Sequence, residues 1–198
     1  MNNFNDELWM FLEKLSNKEN FALGRFGDGE LTVINKEDFD MIGVGKENEF
    51  SYFTNDSKYK ISRELLEESY LSEIDEYYKG IPCHCCVLGE SAKELFHQIA
   101  NKDYLTWANI FVNSNYPYFK ENFIPEFKNH DVVLVAREDA RFDELPFELE
   151  DFIPITSEAM IDNFDFVEEF PIKNFNNKLF LFCAGPLGNM LAAKFWEK

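Results

Sequence analysis

The 198-residue chain is predicted to fold as an α/β protein, a Rossmann-like, mostly parallel sheet with helices on both faces. Three observations predict this. Asp131–Ala136 (DVVLVA) and Lys178–Ala184 (KLFLFCA) are apolar runs with few charges, as strands buried on both faces require. Other segments, such as 4–16 and 186–196, carry apolar residues at helical spacing. The two kinds of segment alternate along the chain, which favours crossover connections and a parallel sheet.

In order, Phe4, Leu8, Trp9, Phe11, Leu12 and Leu15 define a helix over 4–16. Phe21–Phe26 is a short apolar run stopped by Gly27, so it reads as a strand entering a tight turn. Glu30–Asn35 begins a short helix. Residues 36–55 are mixed and read as loops with a short strand near Met41–Val44. Ser57–Leu71 is a helix with Ile61, Leu65 and Leu66 on its inner side. Ile81–Leu88 is a strand, and Ser91–Ala100 a helix that turns Leu95, Phe96 and Ile99 inward. Trp107–Val112 is a strand and Pro117–Phe127 is helical. After the strand Asp131–Ala136 come a short strand Phe152–Ile155, a helix Glu158–Phe170, the strand Lys178–Ala184 and a helix Pro186–Trp196. No internal repeat, low-complexity tract or Pro/Gly-rich linker interrupts residues 1–198, so a single domain is expected.

Hydrophobic residues make up 45% of the chain, enough apolar surface to oppose the entropy of folding, so global disorder is excluded. The 37 acidic and 19 basic side chains leave a formal charge of −18. Such a surface repels phosphate backbones and anionic lipid, so neither nucleic acid nor an anionic membrane is an expected partner. A bound diphosphate would need local compensation, from a divalent cation or from helix amino termini. No apolar run approaches the roughly 18 residues of a membrane span. The amino terminus MNNFNDELWM lacks the basic and apolar regions of a secretory signal, and a cytoplasmic location is expected. Cys83, His84, Cys85 and Cys86 crowd together, but a strand would split them two and two, against a single local zinc site. Buried, reduced, apolar-acting cysteines are the expectation.

Three constellations can carry chemistry. In Arg25-Phe26-Gly27-Asp28-Gly29-Glu30 the glycines allow a sharp turn and close approach of a ligand. If the turn is extended, Asp28 and Glu30 point to one side, and hard oxygen ligands in an open site suit Mn²⁺ or Mg²⁺. Arg25 adds a fork of donors for phosphate oxygens. The same residues also suit an acidic turn in which Asp28 caps a helix. Cys183-Ala184-Gly185-Pro186-Leu187-Gly188-Asn189 opens the last helix, with Pro186 at a favoured first position and free amides that suit an anion, or form a plain strand-to-helix turn. Arg137-Glu138-Asp139-Ala140-Arg141 follows the clearest strand and offers nucleotide contacts or a general base, or is a solvated loop. Asn113-Ser114-Asn115 is a polar patch suited to sugar hydroxyls, or a turn. Trp107, Tyr116 and Tyr118 include a candidate acceptor-side ring. His84, His97 and His130 show no nucleophilic arrangement.

On ALGRFGDGEL, which matches an R-[YF]-G-D-G-E signature, the chain resembles the GT-D-type glycosyltransferases. Gly80-Ile81-Pro82 and LFCAGPLGNMLAAKFW are similar to an early strand entry and a late strand–Gly-Pro–helix element of that family, in the same order. The resemblance implies a nucleoside-diphosphate sugar donor, typically uridine-linked, and a divalent metal, Mn²⁺ or Mg²⁺, at Asp28 and Glu30. It also implies that Gly185 and Pro186 lie at the donor pocket. Arg25, Gly27, Asn113 and Arg137 complete the expected substrate contacts, and Asp139 or Glu138 is the candidate base. Family members usually continue past the last helix into another strand, whereas this chain stops at Lys198, so the expectation is a single domain that is either truncated at its carboxyl end or lacks that part. The expected function is metal-dependent transfer of a sugar to an unknown glycan, protein or small-molecule acceptor. Its rivals are a catalytically inactive nucleotide-sugar-binding module and a phosphoryl-transfer enzyme.

Overall fold

The computed structural model describes residues 4–41, 43–45, 51–83, 94, 102–156 and 177–196. The fold is α/β, as the sequence predicts, but the strands form two sheets in place of one. The first is ordered β1-β2-β3, from Ala22–Arg25, Tyr77–Ile81 and Leu105–Trp107. The second is ordered β5-β4-β6, from Asp151–Ile155, Asp131–Arg137 and Lys178–Cys183. Every pairing within the two sheets is parallel. The described helices are α1 (Phe4–Ser16), α2 (Asp28–Ile34), α3 (Lys60–Leu71) and α4 (Pro186–Trp196), with a further helical run from Tyr116 to Asn129.

Both sheets feed the same two apolar clusters, because alternate residues of a strand face opposite sides. Tyr77, Ile81, Val133, Val135, Phe180 and Phe182 pack with α3 and α4 through Leu66, Tyr70, Met190 and Leu191. Tyr78, Val132, Leu179 and Leu181 pack on the other face with Leu8, Phe11 and Leu15 of α1 and with Phe123 and Phe127. The helix faces are those their apolar spacing dictates. The exceptions are Trp9 of α1, 56% exposed, and Ile61, 51% exposed; the buried stripe of α3 runs through Ser62, Leu66, Ser69 and Tyr70.

Several boundaries differ from expectation. β2 spans Tyr77–Ile81, so of the strand expected over Ile81–Leu88 only Ile81 is extended; Pro82 and Cys83 lie past its end, and residues 84–88 lie outside the described set, as do the helices expected over 91–100 (Glu94 apart) and 158–170. Tyr77-Tyr78-Lys79 was not expected in a strand because Lys79 breaks the apolar run. The lysine is accommodated by sending its ammonium to the Ser72 carbonyl beyond the end of α3. β3 ends at Trp107, and residues 108–112 form turns. No strand forms around Met41 among the described residues; the pairing there is an isolated antiparallel bridge, Phe39 with Tyr52. The run from Tyr116 contains a π-helical segment, Phe119–Phe123, just before Pro125, whose missing N–H disturbs the α ladder. Cys83 is buried and disulfide-bonded. This corrects the expectation of reduced cysteines, and Cys183 is free but exposed where a buried one was expected; Cys85, Cys86, His84 and His97 lie outside the described residues.

Candidate functional site

The carboxyl end of β1 is where the first constellation sits. Phe26 is fully buried and meets Tyr70 edge-on with centroids 4.9 Å apart. Truncating such a ring costs roughly 3–5 kcal/mol, so it is a firm anchor for the turn beside it. The Phe26 amide donates to the Gly80 carbonyl at 2.8 Å, continuing the β1–β2 ladder one residue past the strand. Arg25 projects from the same exit. Its Nε donates to the Ala108 carbonyl at 2.7 Å, reaching across β2 to the segment that leaves β3, and the residue remains exposed. The Arg25 anchor thus spans the exits of all three strands of this sheet.

From Gly27 the chain turns directly into α2. The helix begins at Asp28, two residues earlier than the sequence suggested, and this changes the geometry of the acidic pair. Asp28 and Glu30 occupy the first and third helical positions, so they are not aligned by the alternation of an extended turn. Asp28 does not cap the helix either. Gly27 is the cap residue, with extended backbone at φ −76° and ψ −171°. Glu30 Oε2 accepts from the Gly27 amide at 3.0 Å, the return half of a capping box; glycine has no side chain for the other half. Asp28 is exposed and its Oδ1 accepts from the Gly29 amide at 3.1 Å. Burial pushes the Glu30 carboxyl above its ordinary value. Its own backbone amide, the nearby Arg25 charge and the Gly27 amide oppose that shift, and Asp28 adds to it. Arg25 and Asp28 therefore both act on the Glu30 carboxyl, even though the two carboxylates serve different backbone amides.

The second constellation joins the first. Gly185 adopts φ +55°, and a Cβ built there meets nothing within 4 Å, so left-handed backbone selects glycine at the exposed exit of β6. Pro186 follows as the first residue of α4 and is buried. Within the first turns of α4, the Asn189 side-chain Nδ2 donates to the Arg25 carbonyl at 2.9 Å. That bond, between residues 164 positions apart in the chain, brings the start of α4 to the exit of β1. Asn189 was part of the quoted motif, yet nothing in its spacing marked it as the residue that makes the connection.

The other expected residues are not drawn into this group by any contact among the described residues. Asn113 is exposed, with left-handed backbone at φ +57°. The buried amide of that patch is instead Asn115, which donates to Ile110 O at 3.0 Å and holds the turn. Arg137 stands at the carboxyl end of β4 and pairs with Asp139 at 2.8 Å. This occupies one of the two candidate bases, while Glu138 is exposed. Trp107 and Tyr118 are partly buried, whereas Tyr116 is 52% exposed. A cavity of about 690 Å³ opens at the amino ends of β4 and β5 in the second sheet, bounded by Lys128, His130, Asp131 and Pro146. It is not lined by Asp28 or Glu30.

The acidic pair fits a hard divalent cation in one respect. Asp28 keeps one oxygen outside its Gly29 contact, while Glu30 meets its own backbone amide as well as that of Gly27. Among the described residues no group of three or more His, Cys, Asp or Glu side chains converges. Two carboxylates completed by water and substrate phosphate is the donor set that Mg²⁺-like ions accept. Comparison of the chain with known protein families, with characterised proteins and with solved structures finds no match.

Proposed function

We propose that the protein is a metal-dependent glycosyltransferase that takes a sugar from a nucleoside-diphosphate donor, with the Arg25–Glu30 turn and the start of α4 as the two sides of the donor site. The observation that carries this reading is the Asn189–Arg25 bond, which unites the two motifs of the GT-D resemblance at one strand exit. In parallel α/β sheets ligands bind beyond the carboxyl ends of the strands, and Arg25 and Gly185 both stand there. Asp28 and Glu30 would hold the divalent ion, which would supply electrostatic stabilisation of the leaving diphosphate.

The chain's own residues divide the remaining work. Asp28 and Glu30 would supply the two carboxylate oxygens for the ion. Arg25 keeps its Nη donors for phosphate oxygens, since its Nε is spent on Ala108. The backbone at Gly185 is bare and exposed, so a diphosphate can approach the first turn of α4, where the helix dipole favours anions. The strand exits hold Arg25 and the start of α4 in place before substrate arrives, through the bonds to Ala108 O and from Asn189.

Titration with uridine diphosphate, with and without Mn²⁺, followed by analysis of donor turnover, tests the proposal. Metal-dependent binding and release of nucleoside diphosphate are expected. Asp28→Asn is expected to lower turnover by roughly two to three orders of magnitude, about 3–4 kcal/mol. Full activity in the double variant Asp28→Asn, Glu30→Gln would refute the metal role. Metal-dependent binding without turnover would identify an inactive nucleotide-sugar-binding module, and release of inorganic phosphate a phosphoryl-transfer enzyme.

A further inference from the structure

We infer that Asn189 is a positioning residue whose buried amide sets the Arg25–Gly27 turn against the first turns of α4. For its ligand readout the inference rests on the proposed function; for its geometry it does not. Asn189 is 5% exposed, and a buried primary amide is costly unless its hydrogen bonds are made. The bond it makes completes a ladder. The Phe26 amide faces β2, where it meets Gly80 O. Peptide groups of neighbouring strand residues point to opposite edges, so the Arg25 carbonyl faces away from β2. Among the described residues β1 has no strand on that side. The Asn189 Nδ2 donates there at 2.9 Å, in the place an adjoining strand's N–H would fill.

The other end of Asn189 is fixed separately. Its backbone carbonyl accepts from Ser69 Oγ of α3 at 3.0 Å and from the Tyr77 hydroxyl of β2 at 3.4 Å. Ser69 Oγ and Tyr77 OH are also 3.0 Å apart, so the three groups form one buried network. The main chain of α4 is thereby tied to α3 and β2, and the side chain extends the tie to β1. Gly27, whose amide meets Glu30, is two residues from the bonded carbonyl. Gly185 is four residues before Asn189, roughly one helical turn. Only a donor serves here: a carboxylate of the same shape would face the Arg25 carbonyl oxygen with a like partial charge.

The test uses the full chain. In the wild type, the Asn189 side-chain amide protons are expected to exchange with solvent at least tenfold more slowly than those of exposed asparagines; exchange at the exposed rate would overturn the inference without recourse to any variant. In Asn189→Asp, the backbone amide resonances of Gly27 and Gly29 are expected to move with that of Gly185, while that of Gly45 stays. Unmoved Gly27 and Gly29 resonances would overturn it as well. With Mn²⁺ present and at a temperature where circular dichroism shows the variant folded, the affinity for uridine diphosphate is expected to fall about tenfold in Asn189→Asp, and to recover in part in Asn189→Gln, which keeps the donor. Unchanged affinity in Asn189→Asp, beside measurable wild-type binding, would refute the positioning role. A wild type that binds no uridine diphosphate would refute the proposed function, and exchange and amide shifts would then decide the role of Asn189.

Discussion

Gly80 lies at the centre of the first sheet, paired with Arg25 on one side and Thr106 on the other. A Cβ built on it stands 3.1 Å from Ala108 Cα, 3.2 Å from Ala108 N and 3.3 Å from Trp107 C. All three atoms are backbone, so no side-chain rotation relieves the contact. Gly80→Ala must push the exit of β3 outward by a few tenths of an ångström. That segment carries the Ala108 carbonyl, which holds Arg25 Nε at 2.7 Å, and the Ala108 amide, which donates to Ile81 O at 2.8 Å. Overpacking of this kind costs about 1–3 kcal/mol. The loss of unfolded-state freedom on replacing glycine returns about 0.4–1 kcal/mol. The expected net is a destabilisation of about 1–2 kcal/mol, a fall in melting temperature of roughly 3–6 °C for a chain of this size. The assay is thermal unfolding followed by circular dichroism, with Gly45→Ala as a control. Gly45 has φ +81° and open space at its Cβ, so that change carries only the backbone cost of about 1–2 kcal/mol and leaves the β1 exit alone. Gly80→Ala is further expected to weaken Mn²⁺-dependent nucleotide binding, whereas Gly45→Ala is not. A Gly80→Ala protein at least as stable as the wild type, with unchanged binding, would refute the idea that Gly80 spaces the site.

Further tests follow from buried charge and from the acidic turn. Burial lowers the Lys79 ammonium to a pKa of about 8, against the opposing pull of Glu73. Between about 8 and the ordinary 10.5 the unfolded chain binds more protons than the folded one, so wild-type stability rises with pH across that window. Below it the full cost, at most about 3 kcal/mol, is present. Lys79→Met is therefore expected to be more stable at pH 7 by about 1–2 kcal/mol, net of the lost bond to Ser72 O, and the gap should narrow by pH 10. Denaturant unfolding at both values measures this, and a pH-independent gap would count against it. The Glu30 carboxyl is raised from its ordinary value by burial. As pH rises from that ordinary value through the raised one, the folded state is the one that holds the proton, so stability falls. Glu30→Gln, which can still accept from the Gly27 amide, should gain relative stability over that interval and lose Mn²⁺-dependent nucleotide binding. Melting curves at acid and neutral pH, paired with titrations, check both.

Legibility in the sequence followed the strength of local constraints. Asp131–Arg137 was readable because a strand buried on both faces must be apolar throughout; Lys178–Cys183 carries the same apolar pattern, but among the described residues it is an edge strand and only partly buried, which corrects the expectation of a buried one. The termini of α4 were readable because left-handed Gly185 followed by Pro186 marks a helix start in few residues. β2 was displaced because Lys79 looks like a break, and only the carbonyl of Ser72 makes its burial tolerable. The Met41–Val44 strand failed because short mixed segments carry no decisive period. In the candidate site, Arg25, Asp28, Glu30, Gly185 and Pro186 were legible as types in a pattern. Their arrangement was not. The extended turn that would align Asp28 with Glu30 is replaced by helix geometry from Asp28 onward, since Glu30 serves the Gly27 amide.

By itself, then, the sequence determined the α/β class, most strands and helices, and which short segments carry carboxylates, guanidinium and glycine. Those properties depend on residues within a few positions of one another. Tertiary structure alone decided that the strands divide into two parallel sheets and that Arg25 spans the exits of three strands. It also decided that Asn189 joins the start of α4 to β1. These are contacts between residues far apart in the chain, set by how buried polar groups find partners once the apolar faces have packed, and no local pattern encodes them.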